Sequence, residues 1–144
     1  MLKPKRKRRM SDVNADPAGQ IERMKKDRFL CELIGVELVE AGVGHARARL
    51  ELRPDHLNGV GIVQGGVLYS IADYTFAAAA NYGDPVVGIE TTISFVKSVK
   101  SGVITAEATE IARSRRFSRC RVEVTDDTGR LLAVFTGCGY LLPQ

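Results

Sequence analysis

Histidine is scarce in this chain. Only His45 and His56 occur in 144 residues, so a mechanism that needs histidine has two candidates. The three cysteines, Cys31, Cys120 and Cys138, are an odd number with no CxxC pair. That favours buried thiols in a reducing cytoplasm over a disulfide framework or a zinc site. No apolar run approaches the roughly 18 residues of a membrane span. The N-terminus has no apolar core of the kind that marks a secretory signal, so a cytoplasmic location is expected.

Charge is also missing where the total suggests it. Of the net +4, residues 1–30 carry ten Lys/Arg against four acids, and the remainder of the chain is net negative by two. The pI of about 9.1 therefore reflects one end of the chain, and the body is not expected to bind nucleic acid. The opening MLKPKRKRRMSDVNADPAG, residues 1–19, reads as a disordered basic tail. Residues 20–144 read as one domain, with no repeat and no internal boundary.

Hydrophobic spacing divides that domain. Residues 19–34 form an amphipathic pattern, with Ile21, Met24, Leu30, Leu33 and Ile34 near one face and Gly35 as the stop. Segments 36–40 and 45–52 predict a hairpin around AGVG. In its second arm Ala46, Ala48, Leu50 and Leu52 alternate with His45, Arg47, Arg49 and Glu51, which predicts one buried and one wet face. A loop over 54–62 precedes a long apolar helix from about Gly65 to Asn81. Strands are predicted at 87–96, 102–112, 116–125 and 130–142, as a meander closed by an Asp126-Asp127-Thr128-Gly129 turn. A helix apolar nearly all round must be wrapped. A curved antiparallel sheet folded around it, an α+β arrangement, covers one side. A second copy of the chain is the economical cover for the other, so at least a dimer is expected.

That helix carries Asp73 among Val67, Leu68, Ile71, Ala72, Phe76, Ala77, Ala79 and Ala80. A carboxylate there is desolvated, its pKa is raised, and it becomes a candidate base or nucleophile. At the helix start, Gly65 and Gly66 leave the backbone open to a ligand. The first N–H groups have no internal partner and lie at the positive end of the helix dipole, where they suit a developing oxyanion. Gly65 and Asp73 are about 12 Å apart along the axis. One chain does not readily aim both at one carbonyl, whereas two antiparallel copies do.

The segment HLNGVGIVQGGVLYSIADYTFAAAAN resembles the core of hotdog-fold acyl-CoA thioesterases, particularly the PaaI-like (phenylacetate-degradation) branch. ETTISFVKSVKSG and RSRRFSRCRVEVTDDTGRLLAVFTG are similar to the strands that follow in that family. The family pattern is an Asn, a loop, His-Gly-Gly and an acid; here those positions are Asn58, Gln64-Gly65-Gly66 and Asp73. The resemblance implies a hotdog fold and hydrolysis of an acyl-CoA to a free acid and CoA. It implies Asp73 as base or nucleophile, the Gly65 N–H as oxyanion donor, and Asn58 as a group that places the water or carbonyl. Gly66, Thr91 and Thr92 join these as substrate-binding candidates. Lys97, Lys100, Arg113, Arg115 and Arg116 are the candidates for the coenzyme phosphates. No metal and no separate cofactor are expected, since coenzyme A is part of the substrate. The expected assembly is a homodimer that pairs into a homotetramer. Gln64 departs from the family histidine; it carries no proton but can orient the thioester or cap the loop. Gln64 also motivates the alternative of a non-catalytic acyl-CoA-binding module. A dehydratase or hydratase is disfavoured, because no histidine follows residue 56.

Overall fold

A computed structural model describes residues 17–143. Most of the expected basic tail, residues 1–16, lies outside the described residues. Residues 17–19 do not belong to a tail: they open helix α1 (Pro17–Met24), with proline at the first helical position, where its missing N–H costs nothing.

The single helix expected over 19–34 is two pieces. Lys26 and Asp27 close tight turns onto Arg23 and Met24, and Asp27 Oδ1 then accepts from Leu30 N at 3.0 Å. That bond caps a fresh π-helical segment, Phe29–Ile34. Ile21, Met24, Leu30 and Ile34 reach the core, but Leu33 is 63% exposed because the break changes the phase. Gly35 ends the segment as expected, at φ +93°.

Strands β1 (Glu37–Gly42) and β2 (His45–Glu51) form the predicted hairpin. Ala46, Ala48 and Leu50 are buried and their neighbours are not. After α2 (Gly65–Ala80) come β3 (Val86–Phe95), β4 (Val103–Arg113), β5 (Phe117–Thr125) and β6 (Leu131–Leu141). They do not form a four-strand meander. The sheet order is β1-β2-β4-β5-β6-β3, antiparallel throughout. Only β4-β5-β6 run as a meander; β3 lies beyond β6 at the far edge. The KSVKSG segment therefore crosses the end of the sheet instead of making a hairpin. Val96 N bonds Leu132 O, Val63 N bonds Val99 O, and Leu52 N bonds Gly102 O, which traces the crossing from β6 to β2. The Asp126 turn closes β5 and β6 as expected, with Asp126 Oδ1 accepting from the N–H groups of Thr128 and Arg130, both at 2.9 Å.

The sheet curves around α2, which touches all six strands. Where it faces the helix, the sheet is floored with alanine: Ala46, Ala48, Ala106, Ala108 and Ala133 are fully buried. Small side chains on both surfaces bring helix and sheet close. Buried Thr75 satisfies its hydroxyl within the helix, on Ile71 O at 2.6 Å.

The last four carbonyls of a helix lack intrahelical partners, and here three residues supply partners for three of them. Asn81 bonds Ala77 O through its N–H and its side-chain amide. Gln20 of α1 donates to Ala78 O. Arg113 Nη1 of β4 donates to Ala80 O at 3.1 Å. Residues 65, 66, 69, 70, 73 and 77 remain as a half-open stripe on α2.

Candidate active site

The open stripe of α2 faces β3 across a cavity of about 340 Å³. Tyr69, Asp73, Phe76 and Ala77 line it from the helix, and Gly88 and Thr91 from the strand. Both ends are tied. At one end Tyr69 Oη and Thr91 Oγ1 are 2.7 Å apart. At the other, Asn81 accepts from Val86 N at 2.7 Å and donates to Val86 O at 3.3 Å.

Asp73 lies between these ties. No hydrogen bond to its carboxylate comes from the described residues, so little offsets its partial burial. Burial pushes its pKa above the ordinary carboxylate value, and the negative charge of Asp27 adds to the effect. The group is thus held in the state expected of a base poised to take a proton.

The helix start lies two turns away. Gln64 is the N-cap, its Oε1 accepting from Gly66 N at 2.7 Å. That accounts for the glutamine as a cap. Gly65 N–H has no acceptor among the described residues. A side chain at Gly65 would meet the ring of Phe95 at 3.1 Å, so the position has little room for anything larger than glycine. Gln64→Ala is expected to lose about 1 kcal/mol of stability, the usual weight of a lost cap, measured as a shift in urea midpoint at unchanged slope.

Asn58 is at this same end. Its Oδ1 holds its own loop, accepting from Val60 N at 3.0 Å and Ile62 N at 3.3 Å. The structure thus gathers Asn58, Gln64, Gly65 and Gly66 at the N-terminus of α2, apart from Asp73 and Thr91 of the same chain. Thr92 does not join them; it pairs with Thr136 on the outer register and is exposed.

The five basic candidates separate into three places. Lys97 and Lys100 are exposed on the crossing segment near Val63, at the start of α2. Arg115 and Arg116 are exposed in the β4–β5 turn at the opposite end. Arg113 is not part of that exposed cluster. Its side chain is 10% exposed and pairs with Glu110, itself 7% exposed, at 2.9 Å. Tyr82 Oη, at 2.8 Å, and Ser118 Oγ also donate to Glu110, and the guanidinium lies 4.4 Å from the Tyr82 ring centre. This guanidinium is committed to the protein interior, not to a ligand phosphate.

His56 is buried and structural, with Nδ1 accepting from Arg53 N at 3.1 Å and Nε2 donating to Ile34 O at 2.7 Å. Tyr69 reads from sequence as one of several aromatics on an apolar helix. The usable signal is its place four residues before Asp73, which puts both on one helix face.

The family model described as the thioesterase superfamily matches residues 60–133. A variant of the phenylacetic acid degradation protein PaaI from Thermus thermophilus is 35% identical, with a TM-score of 0.76 over 78% of this chain and 98% of that one. A 1,4-dihydroxy-2-naphthoyl-CoA hydrolase from Listeria monocytogenes is 29% identical over 109 residues, 73% of this chain and 89% of that one. The E. coli PaaI protein, 23% identical, shares the fold at a TM-score of 0.83 over 88% of this chain and 93% of that one. With its helix wrapped by a six-stranded antiparallel sheet, the chain belongs to the thioesterase superfamily as a PaaI-like, hotdog-fold thioester hydrolase.

Proposed function

We propose that the protein hydrolyses acyl-CoA thioesters at sites shared between two antiparallel copies of the chain. The observation that carries this is the separation on α2: a desolvated Asp73 and an unpaired Gly65 N–H lie on one helix, about 12 Å apart along its axis. In a pair of chains, Gly65 of one copy faces Asp73 of the other. The β3 edge supports such pairing. Among the described residues β6 is its only strand partner, and Val87 and Ile89 on it are 45% and 57% exposed. An open edge of this kind is a template for another strand. A homotetramer is the expected pairing of two such dimers, and cytoplasm the expected compartment. No described helix is long and apolar enough to cross a membrane.

In this site Asp73 takes a proton from water as the water oxygen bonds to the thioester carbon. The Gly65 N–H donates to the carbonyl oxygen as it becomes negative. Collapse of the tetrahedral species breaks the C–S bond, and the proton on Asp73 passes to the thiolate. The balance is R–CO–S–CoA plus H2O giving R–COOH and CoA–SH. A thiolate with a conjugate-acid pKa of about 8–9 leaves readily, so Gln64 suffices where the related pattern has histidine. Direct attack by the Asp73 carboxylate is the other route. It is distinguished by single turnover in ¹⁸O-water, which labels Asp73 only in that case. The antiparallel pairing also brings the Lys97–Lys100 segment of one copy toward the Arg115–Arg116 turn of the other, a clamp for coenzyme phosphates.

A thiol-release assay over a broad acyl-CoA panel tests the substrate class. Tight binding without release, seen by calorimetry, would replace hydrolysis with a non-catalytic acyl-CoA-binding role. The shared site has its own test. Gly65→Pro, made together with Phe95→Ala to clear the ring that a side chain there would meet, removes the donor N–H at the first helical position, where proline's missing N–H breaks no helical bond, and Asp73→Asn removes the base. Each variant alone is expected to be inactive. Refolded together in equal amounts, they are expected to recover about a quarter of wild-type activity, because half the dimers then hold one intact site. No recovery would place the whole site within one chain.

A further inference from the structure

We propose that Tyr69 is a positioning residue for the attacking water, acting through the hydroxyl of Thr91. The inference rests on the hydrolytic role of Asp73. Tyr69 and Asp73 share one face of α2 at i,i+4 spacing, and both line the cavity with Thr91 opposite. The cavity is chemically divided along its length. Its hydroxyls are at the Tyr69–Thr91 end, at 2.7 Å from each other. Phe76, Ala77, Gly88 and Val86 give the rest of the lining an apolar wall, interrupted by Glu90 and by Asn81, whose amide is spent on Ala77 O and the Val86 backbone. The hydroxyl end is the place for water.

Two hydroxyls in one hydrogen bond use one of their two protons. The phenol is the more acidic and so the better donor. Tyr69 O–H therefore donates to Thr91 Oγ1 and fixes its rotation. The Thr91 proton is then left to point into the cavity. A water there accepts from Thr91 and donates to the Asp73 carboxylate, which fixes it at two points with a lone pair free for the thioester carbon. Tyr69 itself is held by an edge contact with Phe135, ring centres 5.7 Å apart. Its hydroxyl thus has a fixed place from which to hold Thr91.

The test is a kinetic cycle on the full-length enzyme with Tyr69→Phe, Thr91→Val, Thr91→Ser and the Tyr69→Phe/Thr91→Val pair. Tyr69→Phe keeps the ring and its Phe135 contact, and its melting curve checks the fold. Its kcat is expected to fall about tenfold at unchanged KM, the weight of one neutral hydrogen bond. Thr91→Val is expected to fall at least as far, and Thr91→Ser to retain activity because it keeps Oγ. The double variant is expected to be no slower than Thr91→Val, since both changes remove one function. Wild-type kcat in Tyr69→Phe, a loss confined to KM, or a double-variant loss equal to the product of the single losses would overturn the proposal. If Tyr69→Phe does not fold, the Thr91 pair decides: equal rates for Val and Ser overturn it, and loss only in Val supports it. Asp73→Asn in the same assay separates the two levels. A fully active Asp73→Asn removes the hydrolytic role itself, whereas an inactive one beside an unimpaired Tyr69→Phe removes only this inference.

Discussion

Asp73→Asn is expected to lower kcat by about a thousandfold, within the range that a positioned general base supplies, and at the same time to raise the melting temperature at neutral pH. The two effects share one cause. Burial raises the Asp73 pKa in the folded chain above the ordinary carboxylate value, with the negative charge of Asp27 adding to the shift. A carboxyl whose folded pKa exceeds its unfolded one favours folding only while protonated. That contribution is fully present below the unfolded pKa and is lost as pH rises through the raised folded pKa. At neutral pH the wild type therefore carries an ionised carboxylate that its surroundings disfavour, and asparagine removes it at the same size. Calorimetric melts at neutral pH and near pH 3 check the sign. The stabilisation should be present in the first and shrink in the second. The wild-type kcat should rise with pH through an inflection above the ordinary carboxylate range, since only the ionised group accepts a proton. A neutral-pH melt lower for Asp73→Asn than for wild type would mean that the carboxylate is stabilised in place, contrary to the desolvated site described.

The largest loss of stability is expected at a residue away from the cavity. Arg113→Ala leaves Glu110 buried without its cation, and breaking one side of a buried pair costs about 3–5 kcal/mol. The change also strips the donor from Ala80 O and the cation from the Tyr82 ring. Tyr82 and Ser118 still donate to Glu110, but two neutral donors do not replace a guanidinium. Replacing both partners, as Glu110→Met with Arg113→Met, removes the buried charges together and should recover much of the loss. Urea unfolding of the single and double variants gives the comparison. A single-variant loss below about 1 kcal/mol, the scale of a surface pair, would show that water reaches Glu110.

The separation of Arg113 from Arg115 and Arg116 shows where the sequence was legible and where it was not. Strict alternation works along β2, where Ala46, Ala48 and Leu50 point inward as their spacing predicts. It carries β4 through Ala106 and Ala108 to Glu110, and would then send Arg113 outward. A register shift between Glu110 and Ala112 puts an extra residue, Ile111, in the strand and returns Arg113 to the inner face. A matching shift between Gly88 and Glu90 resets β3, so that Gly88 and Thr91 both line the cavity. Bulges depend on the partner strand, and period-two patterns do not record them. The place of β3 beyond β6 is likewise a long-range choice, whereas adjacency in sequence suggested a hairpin with β4. The places of Asp73 and Gly65 on α2, and the boundaries of that helix, were readable because they rest on local chemistry: a charge in an apolar helix and a glycine pair at its start. The roles of Gln20 and Arg113 at the other end of that helix were not, since each contacts it from a distant segment.

The alanine floor beneath α2 has a consequence for how this enzyme tolerates change. Gly65 and Asp73 ride on one rod, seated on Ala46, Ala48, Ala106, Ala108 and Ala133 with no exposed surface among them. A larger side chain at any of these five positions has no space to enter and must lift or tilt the rod. In the shared site proposed above, such a shift moves the proposed oxyanion donor of one site and the proposed base of another together, so a methyl group added in the sheet reaches both. Drift in rate and selectivity is therefore open to substitutions that touch no substrate, and the effect of a change in the cavity depends on which small residue lies under the helix behind it.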